Sequence, residues 1–229
     1  MWIGAGNHVR MHASVTAAAE KRLLLWMARR LPRVITSDQL SILGFAAMGA
    51  AAAAFAAQRY TPTAAPLVVI ALALNWFGDS LDGTVARVRG EERPRFGYYV
   101  DHVIDLAGAA LLLAGIACSG LMNPALAAST LAAYLLVSAE SYLATHASGV
   151  FRMSHFGFGP TELRILLAIG AIKTAHSPWI HLPGGALVRL FDIGGAAAVA
   201  GLISAFAIAA VRNTRVLHRE DRTPRAKIA

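Results

Sequence analysis

The chain has 229 residues, 56% of them hydrophobic and only 15% charged, with a formal net charge of +8 and a single cysteine. It is too apolar for an ordinary water-soluble domain and long enough for about six spans of roughly 20 residues, so the composition points to one polytopic membrane domain. Cys118 alone excludes an intramolecular disulfide. The basic residues sit at the ends of apolar segments rather than in one patch with interleaved aromatics, which argues for membrane lipids and against nucleic acid as partner.

Residues 1–15 lack the continuous apolar core of a secretory signal, so no cleaved peptide is expected. Residues 13–31 set Leu23, Leu24, Trp26 and Met27 beside Lys21, Arg22, Arg29 and Arg30, the pattern of an amphipathic helix lying in the membrane interface. A helix packed on the body of the protein is the plain alternative, and Pro32 ends it in either case. Thr36-Ser37-Asp38-Gln39-Leu40-Ser41 then opens a membrane span with amino-terminal capping chemistry, in which Asp38 reads as a cap.

The apolar pattern predicts an all-α, six-span core over residues 38–211, with spans at about 40–57, 65–87, 97–116, 124–147, 161–180 and 188–211. An outer turn falls at 61–66, and residues 213–229 form a basic tail expected to be disordered. Of the 21 Lys and Arg, all but Arg59, Lys173 and Arg189 fall on one side of this topology. That asymmetry predicts an integral protein of the cytoplasmic membrane with both termini, and the region 79–105, facing the cytoplasm.

Region 79–105 interrupts two of the most apolar stretches with Asp79, Asp82, Asp101 and Asp105, and such groups are costly at membrane depth. At about 100° per residue, Asp79, Asp82, Gly83 and Ala86 share one helix face with Arg87 at its edge. Gly97, Asp101, Asp105 and Gly108 share a face of the next helix. Two facing helices would focus four carboxylates on one point, and so much negative charge calls for a pair of divalent cations held by oxygen ligands. A helix-capping or solvated role accounts for one Asp readily, but not for four in register.

The string Asp79-x-x-Asp82-Gly83-x-x-Ala86-Arg87, followed by Gly97-x-x-x-Asp101-x-x-x-Asp105, resembles the signature of the CDP-alcohol phosphotransferase family of integral membrane enzymes. Nine residues separate Arg87 from Gly97, one more than the resemblance leads us to expect, and the extra residue falls in the charged turn 88–96. The resemblance implies transfer of a phospho-alcohol or phosphatidyl group from a CDP-alcohol to a second alcohol, with release of CMP, in phospholipid biosynthesis. It implies two Mg or Mn ions bound by Asp79, Asp82 and Asp101, with Asp105 shared between metal binding and base work. Gly83, Ala86 and Gly97 would leave room for the nucleotide, Arg87 would contact phosphate, and the protein would be a homodimer.

The attacking hydroxyl must lose a proton, and two candidate bases, His102 and Asp105, sit about 60° apart on one helix. Asp101-His102-x-x-Asp105 is similar to the choline and ethanolamine phosphotransferase branch, as, in part, are Glu140, Tyr142, His146 and Gly159-Pro160-Thr161-Glu162. An ordinary helix start accounts for Gly159 to Glu162 equally well. The alternative within the family is a CDP-diacylglycerol-dependent inositol- or glycerol-phosphate type, whose phosphorylated acceptor needs a basic pocket that Arg87, Arg152 and Arg164 can supply. From another class, a metal-binding transporter would more often show two related halves, and the chain has no second Asp-rich half.

Overall fold

A computed structural model describes residues 17–148 and 159–222. Expectations that concern residues 1–16, Arg152 or residues 223–229 lie outside the described residues.

The first helix, α1 (Ala17–Arg30), is amphipathic as expected. Ala28 is buried against Leu40, Leu81 and Val85, with Leu24 and Met27 packed around them, while Leu23 and Trp26 face outward beside Arg22, Arg29 and Arg30. The helix is therefore both docked on the body and basic on its outer face. Arg89, at the end of α3 (Ala65–Arg89), fixes the chain that follows α1 by donating to the main-chain carbonyls of Leu31, Pro32 and Ile35.

Helix α2 (Ser37–Ala57) begins with a capping box: Thr36 Oγ1 accepts from the Gln39 amide, and the Gln39 side chain accepts from the Thr36 amide. Thr36 is thus the cap, and Asp38, read as the cap from sequence, instead forms an exposed ion pair with Arg93. A short 3-10 turn (Pro62–Ala64) leads into α3, and Gly90, in the left-handed region at φ 69°, closes that helix and lets the chain reverse. After the reversal come α4 (Pro94–Ser119), α5 (Pro124–Ser148) and α6 (Pro160–His176).

Two expectations are corrected at the carboxyl-terminal end. The fifth span was expected to reach residue 180, but α6 stops at His176 and is followed by a two-stranded antiparallel hairpin, β1 (Trp179–His181) with β2 (Leu187–Arg189). Gly184 and Gly185 turn it with φ of 103° and 84°, values that an L side chain rarely adopts. Beyond the hairpin, α7 (Leu190–Arg222) runs eleven residues past the expected span end, so the polar stretch read as disordered is helical as far as Arg222. That stretch contains neither Gly nor Pro until Pro224, and nothing local breaks the helix before then.

Helices α2, α3, α4, α5 and α7 are each long and apolar enough to cross a membrane, and α6, at 17 residues, is slightly shorter. The core is apolar, yet the outer surface is apolar too, and several polar groups lie inside. Leu67, Ile70, Leu74, Leu135, Leu136, Ile169 and Ile208 are exposed, whereas Asn75, Asp82, Thr84, His102, Thr130 and Thr174 are buried. Close helix contacts rest on small residues: a Cβ on Gly78 would meet Leu40 O at 2.5 Å and Gly44 N at 2.6 Å, so α2 and α3 touch backbone to backbone. Gly115 meets Ala52 in the same way and brings α4 onto α2. The protein is an all-α polytopic membrane protein with one small hairpin.

Candidate active site

Helix α2 is the floor on which the site is built. Both α3 and α4 pack on it, but they make almost no contact with each other, so the two halves of the Asp motif face one another across a cleft. The cavity between them is small, about 40 Å³. It is lined by Ser41, Gly44, Phe45 and Met48 of α2, by Asn75, Asp79 and Asp82 of α3, by Asp101, Ile104, Asp105 and Gly108 of α4, and by Arg164 of α6. All four aspartates read from the sequence come to one cavity.

Their side chains are held individually. Asp82 is buried, its Oδ2 accepting from Ser41 Oγ at 2.6 Å and its Oδ1 from the Gly83 amide at 2.5 Å. Ser37 Oγ also donates to the Asp82 main-chain carbonyl at 3.0 Å, so the first turn of α2 locks this residue in place. Asp79 Oδ2 accepts from Arg164 Nη2 at 2.5 Å, and Arg164 Nε donates to Asn75 Oδ1 at 2.7 Å. Asn75 Nδ2 in turn donates to the Gly44 carbonyl at 2.8 Å. A polar chain thus runs from α2 through α3 to α6 and ends on a motif carboxylate. The remaining guanidinium nitrogen, Arg164 Nη1, is buried without a hydrogen-bond partner among the described residues.

Four carboxylates around one cleft form an oxygen-only donor set suited to Mg or Mn, and Ser41 orients one of them as an outer partner of a metal ligand does. Among the described residues, no three His, Cys, Asp or Glu side chains are close enough together to close a metal site.

His102, the other candidate base, is on the same helix as Asp101 and Asp105 but does not line the cleft. It is buried between Tyr98 and Tyr142, with ring centroids 4.1 and 5.0 Å away, and its Nδ1 donates to the Tyr98 carbonyl at 2.6 Å. The two candidates are therefore not side by side over one cavity. Gly83, Ala86, Arg87 and Gly97 lie toward the α3–α4 turn, outside the cleft lining. A Cβ on Gly83 or Gly97 would meet nothing within 4 Å among the described residues, so neither glycine is needed for packing among them. Arg87 is exposed and donates to Thr84 Oγ1 at 3.2 Å.

The residues that suggested the choline and ethanolamine branch lie elsewhere. Glu140 accepts from Asn213 of α7 at 2.6 Å, and Tyr142 packs on His102. Glu162 accepts from the Gly159 amide at 3.0 Å, the reciprocal bond of a capping box, while Thr161 donates to Glu20 of α1. Sequence reasoning missed Ser41 and Asn75, since a hydroxyl or an amide inside an apolar helix has no spacing signature of its own.

Comparison with known proteins bears on the fold and the family. The chain is 38% identical over 89 residues to the archaetidylinositol phosphate synthase of Pyrococcus horikoshii, a match that covers 39% of this chain and only 44% of that protein. Its fold is similar to that of the phosphatidylinositol phosphate synthase of Mycobacterium tuberculosis solved with CDP-DAG bound, with a TM-score of 0.52 and 23% identity over 86% of this chain and 92% of the other. The same enzyme solved with manganese and citrate gives a TM-score of 0.52 and 22% identity, over 90% and 92%. Residues 32–212, which hold the Asp motif and every residue of the cleft, match as a unit, and the chain belongs to the CDP-alcohol phosphatidyltransferase family.

Proposed function

We propose that the protein transfers a phosphatidyl-type group from a CDP-activated lipid to the hydroxyl of a phosphorylated polyol, of the inositol-phosphate kind, and releases CMP. The observation that carries this reading is Arg164: a nearly buried guanidinium shares the cleft with the four carboxylates and keeps Nη1 unpartnered among the described residues. An acceptor bearing phosphate has a use for that donor, whereas a lipid alcohol has none. The named relatives, an archaetidylinositol phosphate synthase and a phosphatidylinositol phosphate synthase, support the same choice over the choline and ethanolamine type. Family membership also favours transfer over transport.

Asp79, Asp82, Asp101 and Asp105 would hold divalent cations, which when bound clamp a pyrophosphate and neutralise charge on the departing nucleotide. Ser41 keeps Asp82 turned into the cleft. Asp105 lines the cleft and is the better-placed group to accept the acceptor's proton, because His102 is turned to the aromatic pocket of Tyr98 and Tyr142. The open space beside Gly83 and Gly97, with Ala86 and Arg87 on the same end of α3, suits the nucleotide. In this reading the cleft faces the cytoplasm and the protein works as a homodimer.

The test crosses CDP-diacylglycerol and CDP-choline against inositol phosphate, glycerol phosphate, free inositol and diacylglycerol, with CMP and lipid product followed by mass spectrometry. Product only from CDP-diacylglycerol with a phosphorylated polyol is expected. Product from CDP-choline with diacylglycerol would overturn the reading.

A further inference from the structure

We propose that Arg164 is a built-in competitor of the metal: the Arg164–Asp79 ion pair is the metal-free arrangement of the site, and it opens when a divalent cation takes Asp79. The proposal rests on the reading of Asp79 as a metal ligand and concerns what this chain adds to it. Three features of the site carry it.

Arg164 Nη2 lies 2.5 Å from Asp79 Oδ2, so the guanidinium already neutralises this carboxylate and holds one of its two oxygens. Its placement is built rather than incidental, since Nε is anchored on Asn75, itself tied to Gly44, and the side chain is only 12% exposed. The grip nevertheless leaves Nη1 buried without a partner among the described residues, and buried polar atoms are seldom left that way in a finished arrangement. A second state in which Arg164 gives up Asp79 and turns its donors to an anion would satisfy the whole group. Four carboxylates without a counter-cation are costly in a low-dielectric setting, which gives the metal-free protein a reason to recruit Arg164. Unlike the neutral hydroxyl of Ser41, the Arg164 cation opposes a second cation on Asp79, and the free energy lost on opening the pair is subtracted from metal affinity. By linkage, whatever draws Arg164 away tightens metal binding to the same extent.

The experiment measures Mn²⁺ binding to the purified full chain in detergent by the paramagnetic resonance signal of free Mn²⁺, with no lipid substrate present. Arg164→Gln should bind Mn²⁺ roughly 5- to 150-fold more tightly than wild type, the opposite of what loss of a supporting residue does. Arg164→Lys, which keeps the charge but cannot hold Asn75 and Asp79 together, should fall between. Arg93→Gln removes a charge from the exposed pair with Asp38, and its affinity should stay within about twofold of wild type. Equal or weaker binding by a folded Arg164→Gln protein would overturn the proposal, as would an equal rise in Arg93→Gln. A structure of the wild-type protein with Mn²⁺ needs no variant: Arg164 displaced from Asp79 is expected, and an intact pair with the ion bound would overturn the proposal alone. Failure of the wild type to bind Mn²⁺ at all would overturn the metal reading beneath it too.

Discussion

At the scale of single residues, the site separates groups that hold from groups that are held. Ser41 donates to Asp82 Oδ2, and removing such an outer partner of a metal ligand typically costs 10- to 100-fold. Ser41→Ala should therefore weaken Mn²⁺ binding or CMP release by roughly that factor while the protein still purifies as folded; unchanged values for both would remove Ser41 from the site. The two candidate bases part in the same way. Asp105→Asn should lower turnover by roughly 10²- to 10⁴-fold even at saturating metal, where its share in holding the cations is made up and the loss of the base remains. His102→Ala should keep most of its turnover and lose thermal stability, because it empties the space between Tyr98 and Tyr142. Kinetics beside calorimetric CDP-lipid binding for both variants decides the matter, and a dead but stable His102→Ala protein would restore the histidine. The Asp motif was legible because four carboxylates at helical spacing inside apolar stretches have few uses besides holding cations. The place of His102 was not, because 60° around a helix separates a cleft from an aromatic pocket only once the neighbouring helices are known.

At the scale of elements, the glycines sort by what stands opposite them. Gly78 lies where α2 and α3 meet backbone to backbone, so Gly78→Ala forces the helices apart and should cost roughly 1–3 kcal/mol. A lowered unfolding temperature in detergent would report it, and an unshifted one would contradict the close contact. Gly83→Ala and Gly97→Ala meet no atoms of the described residues and should leave that temperature unchanged while raising the KM for the CDP-lipid. Helix boundaries followed local signals well: Thr36 with Gln39 at the start of α2, Gly90 at the end of α3 and Pro94 at the start of α4. The hairpin also left a trace, since Pro183-Gly184-Gly185 between two short apolar runs is a turn signal that the prevailing apolar pattern overrode. Nothing local told that α3 and α4 would splay on α2, or that Arg164 would reach Asp79 across 85 positions of sequence. Those features depend on which small residues let which helices approach.

At the scale of the whole molecule, orientation is the next quantity to measure. With Cys118 changed to Ala, a cysteine introduced as His181→Cys in the hairpin should react with a membrane-impermeant maleimide from outside intact cells. One introduced as Arg222→Cys at the end of α7 should react only after permeabilisation; the reverse pattern would invert the topology inferred from the Lys and Arg distribution. Such an orientation puts the Asp cleft on the side where CDP-lipids and phosphorylated polyols would be met.

The central claim is that four aspartates, brought to one cleft by three helices and joined there by Arg164, hold divalent cations that release CMP. The most direct measurement is CMP release from CDP-diacylglycerol and inositol phosphate by the purified protein, stripped with chelator and then titrated with Mg²⁺ or Mn²⁺, beside Asp79→Asn, Asp82→Asn and Asp101→Asn. The account predicts no release without metal, restoration on adding it, and a loss of roughly 100-fold or more in each folded variant at saturating metal. Metal-independent release, or a folded variant with near wild-type turnover, would contradict it.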